Sequence, residues 1–165
     1  MDRLTDAPKG VIDEFYDYLC SVLDVYKEMR STLKGETAYI DADDIDSLNV
    51  ALNSQHAMML KTRGFGDKID AYLARLGIQA DSLSATAEQL PEGERFRFYA
   101  LLGEFDQTLQ DVIFYKSTCY QMLQNKLYAI EKQLAQRGIQ DSTTYDGKAG
   151  GIASPPHVPV FEKKA

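Results

Sequence analysis

The first stripe of apolar residues predicts a long amphipathic helix over about residues 11–33. Its members recur at alternating steps of three and four residues, which is the a/d spacing of a heptad seam. They are Ile12, Phe15, Leu19, Val22, Tyr26, Met29 and Leu33. Pro8 and Gly10 precede the stripe and Gly35 follows it, so we expect the helix to begin and end close to these residues.

A second apolar stripe predicts another helix, which starts beside the aspartates Asp41, Asp43, Asp44 and Asp46. Carboxylates suit a helix start because they accept hydrogen bonds from its free backbone N–H groups and face the positive end of its dipole. The stripe comprises Ile45, Leu48, Leu52, Met58 or Met59, Phe65, Ile69, Leu73 and Leu76. Gly77 is the predicted C-cap. Gly64 and Gly66 lie inside the helix, so a kink or break is expected near Phe65.

The third stripe is the longest and predicts one helix over about residues 92–137. Its positions are Phe98, Leu102, Phe105, Leu109, Val112, Cys119, Leu123, Leu127, Ile130 and Leu134, with the charged Lys116 among them. At 1.5 Å per residue such a helix is roughly 65 Å long, which exceeds the width of a compact domain of this size. Part of it is therefore expected to project beyond its neighbours. A short, weakly amphipathic stretch over residues 82–90 precedes it, and Pro91 suits its first turn.

These patterns predict an all-α protein: an elongated antiparallel helical bundle or coiled coil with a very long C-terminal helix. The 165 residues are the size of one domain. After Gly138 the composition shifts to glycine and proline with few apolar residues. We therefore expect a helical bundle domain over residues 1–140 and a flexible, disordered tail over residues 141–165.

The charge of the chain restricts its partners. It carries 18 basic and 25 acidic side chains, a net charge of −7. That sign argues against nucleic acid, which needs a basic face, and against an anionic membrane surface. No apolar run approaches the roughly 20 residues that span a bilayer. With no signal peptide evident and only two separated cysteines, Cys20 and Cys119, we expect a reducing, cytoplasmic location and buried thiols.

No catalytic site, metal site or cofactor is predicted from the residues. The only histidines, His56 and His157, lack the Glu-x-x-His spacing of di-iron bundles. The aspartate cluster is not a calcium loop, because Asp46 stands where that loop needs glycine and Leu52 where it needs glutamate. We therefore expect a protein without enzymatic activity, since active sites need convergent polar groups.

Two segments carry a resemblance to a known family. Residues 134–138 read Leu-Ala-Gln-Arg-Gly, and residues 143–150 read Thr-Thr-Tyr-Asp-Gly-Lys-Ala-Gly. Residues 76–78, at the end of the second helix, read Leu-Gly-Ile. With the helical plan of residues 11–150, these segments resemble the FlgN family of flagellar export chaperones.

The resemblance implies a cytoplasmic, ATP-independent chaperone. Proteins of the FlgN type bind the amphipathic C-terminal helices of hook-associated proteins at the hook–filament junction. They prevent premature assembly of those proteins and deliver them to the type III export apparatus. Such a client helix would lie in an apolar groove. The candidate client-binding residues are Met122, Leu123, Leu127, Ile130 and Leu134 near the end of the long helix, followed by Ile139 and Tyr145.

Other interpretations of the same residues stay open. An apolar helical stripe also forms the core of an ordinary bundle, and only the excess length of the last helix favours a binding surface. Tyr145 either packs against the bundle or contacts a partner. An empty groove can also be closed by a second copy of the chain, so a homodimer is an open alternative. The alternative function is that of a self-associating helical adaptor without a client.

Overall fold

A computed structural model describes residues 9–138, and these residues fold into five helices without a strand. The helices are α1 (Lys9–Asp41), α2 (Ile45–Thr62), α3 (Phe65–Leu76), α4 (Leu83–Gln89) and α5 (Glu92–Gln136). The predicted all-α class and the very long last helix are confirmed. The tail predicted over residues 141–165 lies outside the described residues.

Helix α1 is longer than the sequence pattern indicated. It does not end near Leu33 but continues through Gly35 to Asp41. The prediction stopped early because the next position of the seam is Glu36, a charged residue. In the structure Glu36 is buried, and Ile40 extends the buried row by one further turn.

Local signals set the ends of the next two helices. Asp44 caps α2, its side chain accepting a hydrogen bond from the backbone N–H of Ser47. The expected interruption at the glycines is a complete break, because α2 ends at Thr62 and α3 begins at Phe65. Gly77 ends α3 in a left-handed conformation with a φ of 67°, which favours glycine because it has no Cβ.

The segment formed by α2 and α3 runs antiparallel to α1. The ring of Tyr26 lies 6.3 Å from that of Phe65 at the start of α3, and Phe15, earlier in α1, lies 5.4 Å from Tyr72 near the end of α3. Residues later in α3 therefore contact residues earlier in α1. This is the up-and-down arrangement that a short turn between α1 and α2 imposes.

Helix α5 returns alongside α1 in the same direction. Phe15 packs on Phe98 near the start of α5, with ring centroids 5.8 Å apart. Further along both helices, the Sγ of Cys119 lies 3.6 Å from the carbonyl oxygen of Leu33. The α1–α5 pair is therefore parallel, because α2 and α3 carry the chain back before α5 begins.

One apolar core joins all of these helices at the α1 start of the bundle. The short helix α4, capped by the Ser82 hydroxyl, packs on α5 and places Ala87 and Leu90 in this core. The largest fully buried apolar side chains are Tyr26, Phe15, Leu19, Leu33, Leu90, Val22 and Val112. A smaller cluster at the other end joins Ile40, Leu48 and Cys119.

The two long helices differ in length, and this difference shapes one end of the molecule. Helix α1 has 33 residues and α5 has 45, which correspond to roughly 50 Å and 68 Å at 1.5 Å per residue.

Within residues 9–138, no helix is both long enough and apolar enough to cross a membrane.

Candidate protein-binding surface

The end of α1 marks a specific position along α5. The ammonium of Lys126 forms an ion pair with the carboxylate of Asp43, and it also lies 3.4 Å from the carbonyl oxygen of Asp41. Asp41 is the last residue of α1, and Asp43 stands in the turn to α2 with a φ of 54°. Beyond Lys126, α5 runs on for ten residues to Gln136, a length of roughly 15 Å.

The apolar seam of α5 does not stop where α1 stops. From the buried Val112 and Cys119 it continues at helical spacing into Leu123, Leu127, Ile130 and Leu134, which we call the α5 strip. Leu123 is 43% exposed, Leu127 57% and Ile130 53%, while Leu134 is partly buried. A contiguous apolar strip of this kind is typical of a surface that binds another protein.

The remaining predicted contact residues are placed differently. Met122 is partly buried and packs against the cluster of Ile40, Leu48 and Cys119, on the flank of α5 that faces α1. The structure therefore separates it from the exposed strip. Ile139 and Tyr145 lie outside the described residues.

Helix α2 supplies a second exposed apolar row, whose members belong to the stripe that predicts this helix. Ile45 is 61% exposed, and Leu52 and Met59 are also exposed. Their spacing of seven residues puts all three on one side of α2. Ile45 and Leu52 belong to the stripe that predicts this helix, but the buried residues of α2 are Leu48, Ala51, Gln55 and Met58.

The α2 row lies on one flank of α2. The opposite side of α2 forms a groove with α1, in which Ser47 and Ser54 face Ser31 and Gly35. The Ile45 side therefore faces away from that groove. Because α2 runs back alongside the bundle from Ile45, whereas the α5 strip continues past the end of α1, the α2 row and the α5 strip are two separate exposed apolar rows.

A buried polar group lies where α1 packs against α5. Glu36 of α1 is buried, and burial raises the pKa of its carboxyl group, while a hydrogen bond with Cys119 and the nearby Lys116 ammonium oppose that change. Lys116 is half-buried, and burial lowers its pKa. Burial, together with the Glu36 carboxylate, raises the pKa of the Cys119 thiol to about 11. Lys116, the charged seam residue of α5, therefore lies near a residue of opposite charge in α1, Glu36.

The exposed side chains of the α5 strip are aliphatic. Within residues 9–138, no three His, Cys, Asp or Glu side chains are grouped as metal ligands. A raised pKa makes Cys119 a poor nucleophile, because the thiolate is the reactive form.

Two residues of this surface were missed by the sequence interpretation. Tyr120 is 46% exposed and lies one turn before Leu123 on the same side of α5. Met59 was named only as the alternative to Met58 in the second apolar stripe. Tyr120 lies three residues before Leu123, and Met59 lies seven residues after Leu52, so the spacing could have identified both. Spacing alone, however, does not show which residues of a helix another helix covers.

Comparison with protein-family models, with curated proteins and with solved structures finds no match to this chain.

Proposed function

We propose that this chain is a cytoplasmic, ATP-independent export chaperone of the FlgN type. Its clients would be the amphipathic C-terminal helices of flagellar hook-associated proteins, which it would keep from assembling prematurely and deliver to the type III export apparatus. It acts by binding, without catalysis and without a cofactor. The observation that supports this proposal is the exposed α5 strip beyond the end of α1.

The α5 strip suits an amphipathic helix. A client helix lying along it would place its apolar face against Leu127 and Ile130, as amphipathic helices do when they bind an apolar surface of a partner. Its polar face would remain in solvent. The client would then bury the same face through which amphipathic helices associate with one another.

The energy available from the strip alone is small. Covering the exposed half of an aliphatic side chain contributes about 1 kcal/mol. Four such side chains in the α5 strip give about 4 kcal/mol, which only equals the lower limit of the cost of association. The apolar face that the client itself buries must supply the remainder. Binding of that strength is reversible, which suits release without ATP.

The experiment measures binding between the full-length chain and a synthetic C-terminal segment of a hook-associated protein by isothermal titration calorimetry. The expected result is a saturable complex with a negative heat-capacity change, the sign of apolar burial. The double variant Leu127→Asp/Ile130→Asp should weaken this binding at least tenfold. Tyr128→Asp is the matched control, because Tyr128 is 67% exposed on the opposite face of the same segment.

Two outcomes would contradict the proposal. An absence of binding by the wild-type chain to hook-associated segments would remove the client class. Equal affinity of the double variant and the Tyr128→Asp control would show that the client binds elsewhere on the molecule.

The alternative function is a self-associating helical adaptor that needs no client. The heptad spacing of the exposed strip favours it, since such seams pair with one another. A client-independent oligomer that persists when the hook-associated segment is in excess would support this alternative over the chaperone.

A further inference from the structure

The buried interior of the bundle is divided into two parts of unequal size. Within residues 9–138, the main core contains 20 buried apolar residues. Towards the α1–α2 turn it extends as far as Leu33 in α1, Met58 in α2 and Val112 in α5. The smaller cluster beside that turn contains only three buried residues of the described chain, Ile40, Leu48 and Cys119. Because apolar burial is the main favourable term in folding, the smaller cluster holds its end of the bundle less firmly.

A polar residue lies between the two clusters on each of the three helices that join them. Glu36 continues the buried row of α1 three residues after position 33, Gln55 precedes position 58 of α2 by three residues, and Lys116 follows position 112 of α5 by four. Glu36 and Gln55 are buried, and Lys116 is half-buried. We call these three residues the polar layer. The polar layer therefore interrupts the apolar row of every helix that contributes to both clusters.

Glu36 makes the polar layer a weak point of the closed structure. Its side chain is only 2% exposed, and its Oε1 atom has no hydrogen-bond partner among the described residues. A buried oxygen without a partner costs stability because it has lost its hydrogen bonds with water. Separation of α1 from α5 at this level would let water reach that oxygen. Glu36 therefore favours an open arrangement, in opposition to the apolar contacts of the smaller cluster.

The backbone of α1 is also weakened beside the polar layer. Gly35 lies inside α1 and directly precedes Glu36. A glycine within a helix is less stabilising than alanine, because it loses more conformational freedom on folding. A Cβ added at Gly35 would lie nearest to the ring of Tyr39, at an ordinary contact distance of 3.7 Å. Packing therefore does not require a glycine at this position, which suits a pivot.

The ion pair between Lys126 and Asp43 is a weak link between the α1–α2 turn and α5. Both side chains are exposed to solvent, Asp43 by 77%, and exposed ion pairs contribute little stability. Asp43 also has a φ of 54°, a conformation that residues other than glycine rarely adopt. By contrast, two ion pairs join α1 to α5 beside the main core, namely Lys27–Glu104 and Arg30–Asp111.

From these observations we propose that residues 36–55, which comprise the end of α1, the turn and the start of α2, separate from α5 as one unit while the main core stays folded. Helix α2 packs mainly on α1, so the two helices move together. The polar layer is the boundary of this opening. Opening uncovers Cys119 and the side of Met122 that packs on the smaller cluster.

The opening enlarges the apolar face of α5. Cys119 and Met122 directly precede Leu123, the first residue of the α5 strip, so the uncovered face runs without interruption from Cys119 to Leu134. The opening does not depend on the proposed chaperone function. If that function holds, the uncovered residues lengthen the surface that a client helix can contact.

The rate at which N-ethylmaleimide labels the Cys119 thiol measures the opening. The full-length chain carries Cys20→Ser, because Cys20 is only half-buried. The comparison probe is Val112→Cys, prepared with Cys20→Ser and Cys119→Ala, at a fully buried position of the main core. Each rate is compared with the rate expected from global unfolding of the same variant, which urea denaturation gives.

We expect Cys119 to be labelled about tenfold or more faster than global unfolding allows, because local opening costs less than complete unfolding. Its rate should depend only weakly on low concentrations of urea, since little surface is exposed. The thiol of Val112→Cys should be labelled at the rate of global unfolding. Labelling of Cys119 at that same rate, with the same urea dependence, would overturn the proposal, because the two clusters would then open only together.

Two variants test the boundary of the opening. Glu36→Leu joins the two clusters by an apolar residue and should slow Cys119 labelling by about tenfold or more. Gly35→Ala should slow it by about two- to fivefold, because alanine stabilises the helix at the pivot. This second variant leaves the groups around the Cys119 thiol unchanged. Labelling rates that are unaffected in both variants would contradict the assigned boundary.

The ion pairs of α5 supply a matched comparison. Lys126→Gln should speed Cys119 labelling by up to about fivefold, because it removes an exposed ion pair that holds the turn. Lys27→Gln removes an exposed ion pair of α5 beside the main core and should leave the rate unchanged. An equal increase in both variants would show a general loosening of α1 from α5 and would contradict a local opening.

The two proposals fail separately, since the labelling experiments contain no client. Fast labelling of Cys119 without titration heat from the hook-associated segment would remove only the chaperone function. Saturable binding of that segment, with Cys119 labelled only by global unfolding, would remove only the opening.

Discussion

Lys126 of α5 and Asp43 of the α1–α2 turn form an ion pair at the point where α1 ends. On one side of this pair, the seam of α5 is buried against α1, as at Val112 and Cys119. On the other side, Leu127 and Ile130 continue the seam in solvent. The apolar character of α5 is thus the same along its length, and its seam becomes exposed close to the end of α1, beginning at Leu123, one turn before the ion pair.

The exposed strip is expected to contribute little to the stability of the monomer. Leu127→Asp should change the free energy of unfolding by less than about 0.5 kcal/mol, because an exposed side chain loses little packing. Leu33→Ala, at a fully buried position between α1 and α5, should lower the free energy of unfolding by about 2–5 kcal/mol. Urea denaturation measures both values. A large loss for Leu127→Asp would mean that the strip is covered by the chain itself.

Gly66 in the first turn of α3 and Gly77 at its C-cap are expected to respond in opposite directions to substitution by alanine. Gly66 lies within the helix, and an added Cβ would meet no atom within 4 Å. Gly66→Ala should therefore raise the free energy of unfolding by about 0.5–1 kcal/mol. Gly77→Ala should lower it by about 1–2 kcal/mol because its φ is +67°. Chemical denaturation checks both, and equal effects would contradict the assigned conformations.

The hydroxyl group of Tyr26 is expected to destabilise the folded state. It is buried without a hydrogen-bond partner among the described residues, and burial raises its pKa to about 12. Tyr26→Phe should raise the free energy of unfolding by about 1 kcal/mol, since an unsatisfied polar group is removed. The exposed Tyr99→Phe is the control and should have no effect.

The same tyrosine has a predictable pH dependence. Because its pKa is higher in the folded state, the folded protein holds this proton more tightly, and stability falls as the pH rises from about 10 towards 12. Thermal melts of Tyr26→Phe should lose that part of the alkaline decline. A Tyr26→Phe variant with lower stability at pH 7 would show that the hydroxyl group is satisfied.

Glu36 is expected to destabilise the chain at neutral pH. Burial raises its carboxyl pKa despite the opposing Cys119 hydrogen bond and Lys116 charge. The folded state therefore favours the protonated form, and stability falls as the pH rises above the ordinary glutamate pKa. Glu36→Gln should raise the Tm more at pH 7 than at pH 4. Glu28→Gln, at an exposed position of α1, is the control. A lower Tm at pH 7 would mean that the attraction of Lys116 exceeds the burial cost.

Much of the fold was predictable because its signals are local. The period of the three stripes, the aspartate at 44, the glycines at 64 and 66, and Gly77 each act within a few residues of their own position. They predicted a helix, a cap, a break and an end, and the structure contains each of them. The predicted α1 was too short because the next seam residue, Glu36, is charged and therefore did not fit the apolar pattern.

The candidate surface was only partly predictable, because exposure depends on distant residues. Leu123 and Val112 both occupy apolar seam positions of α5, yet Val112 is buried and Leu123 is exposed. Likewise, Ile45 and Leu48 belong to one apolar stripe, but only Leu48 meets Cys119. No local pattern shows which of two neighbouring rows a separate helix will cover.

The amino-acid sequence by itself therefore determined where helices form, since hydrogen bonding, capping and apolar period are properties of adjacent residues. The tertiary structure alone decided that α1 ends opposite Lys126 and that Glu36 faces Lys116. These pairings join residues about 80 positions apart. They follow from the lengths and offsets of whole helices, which are set when the helices pack together.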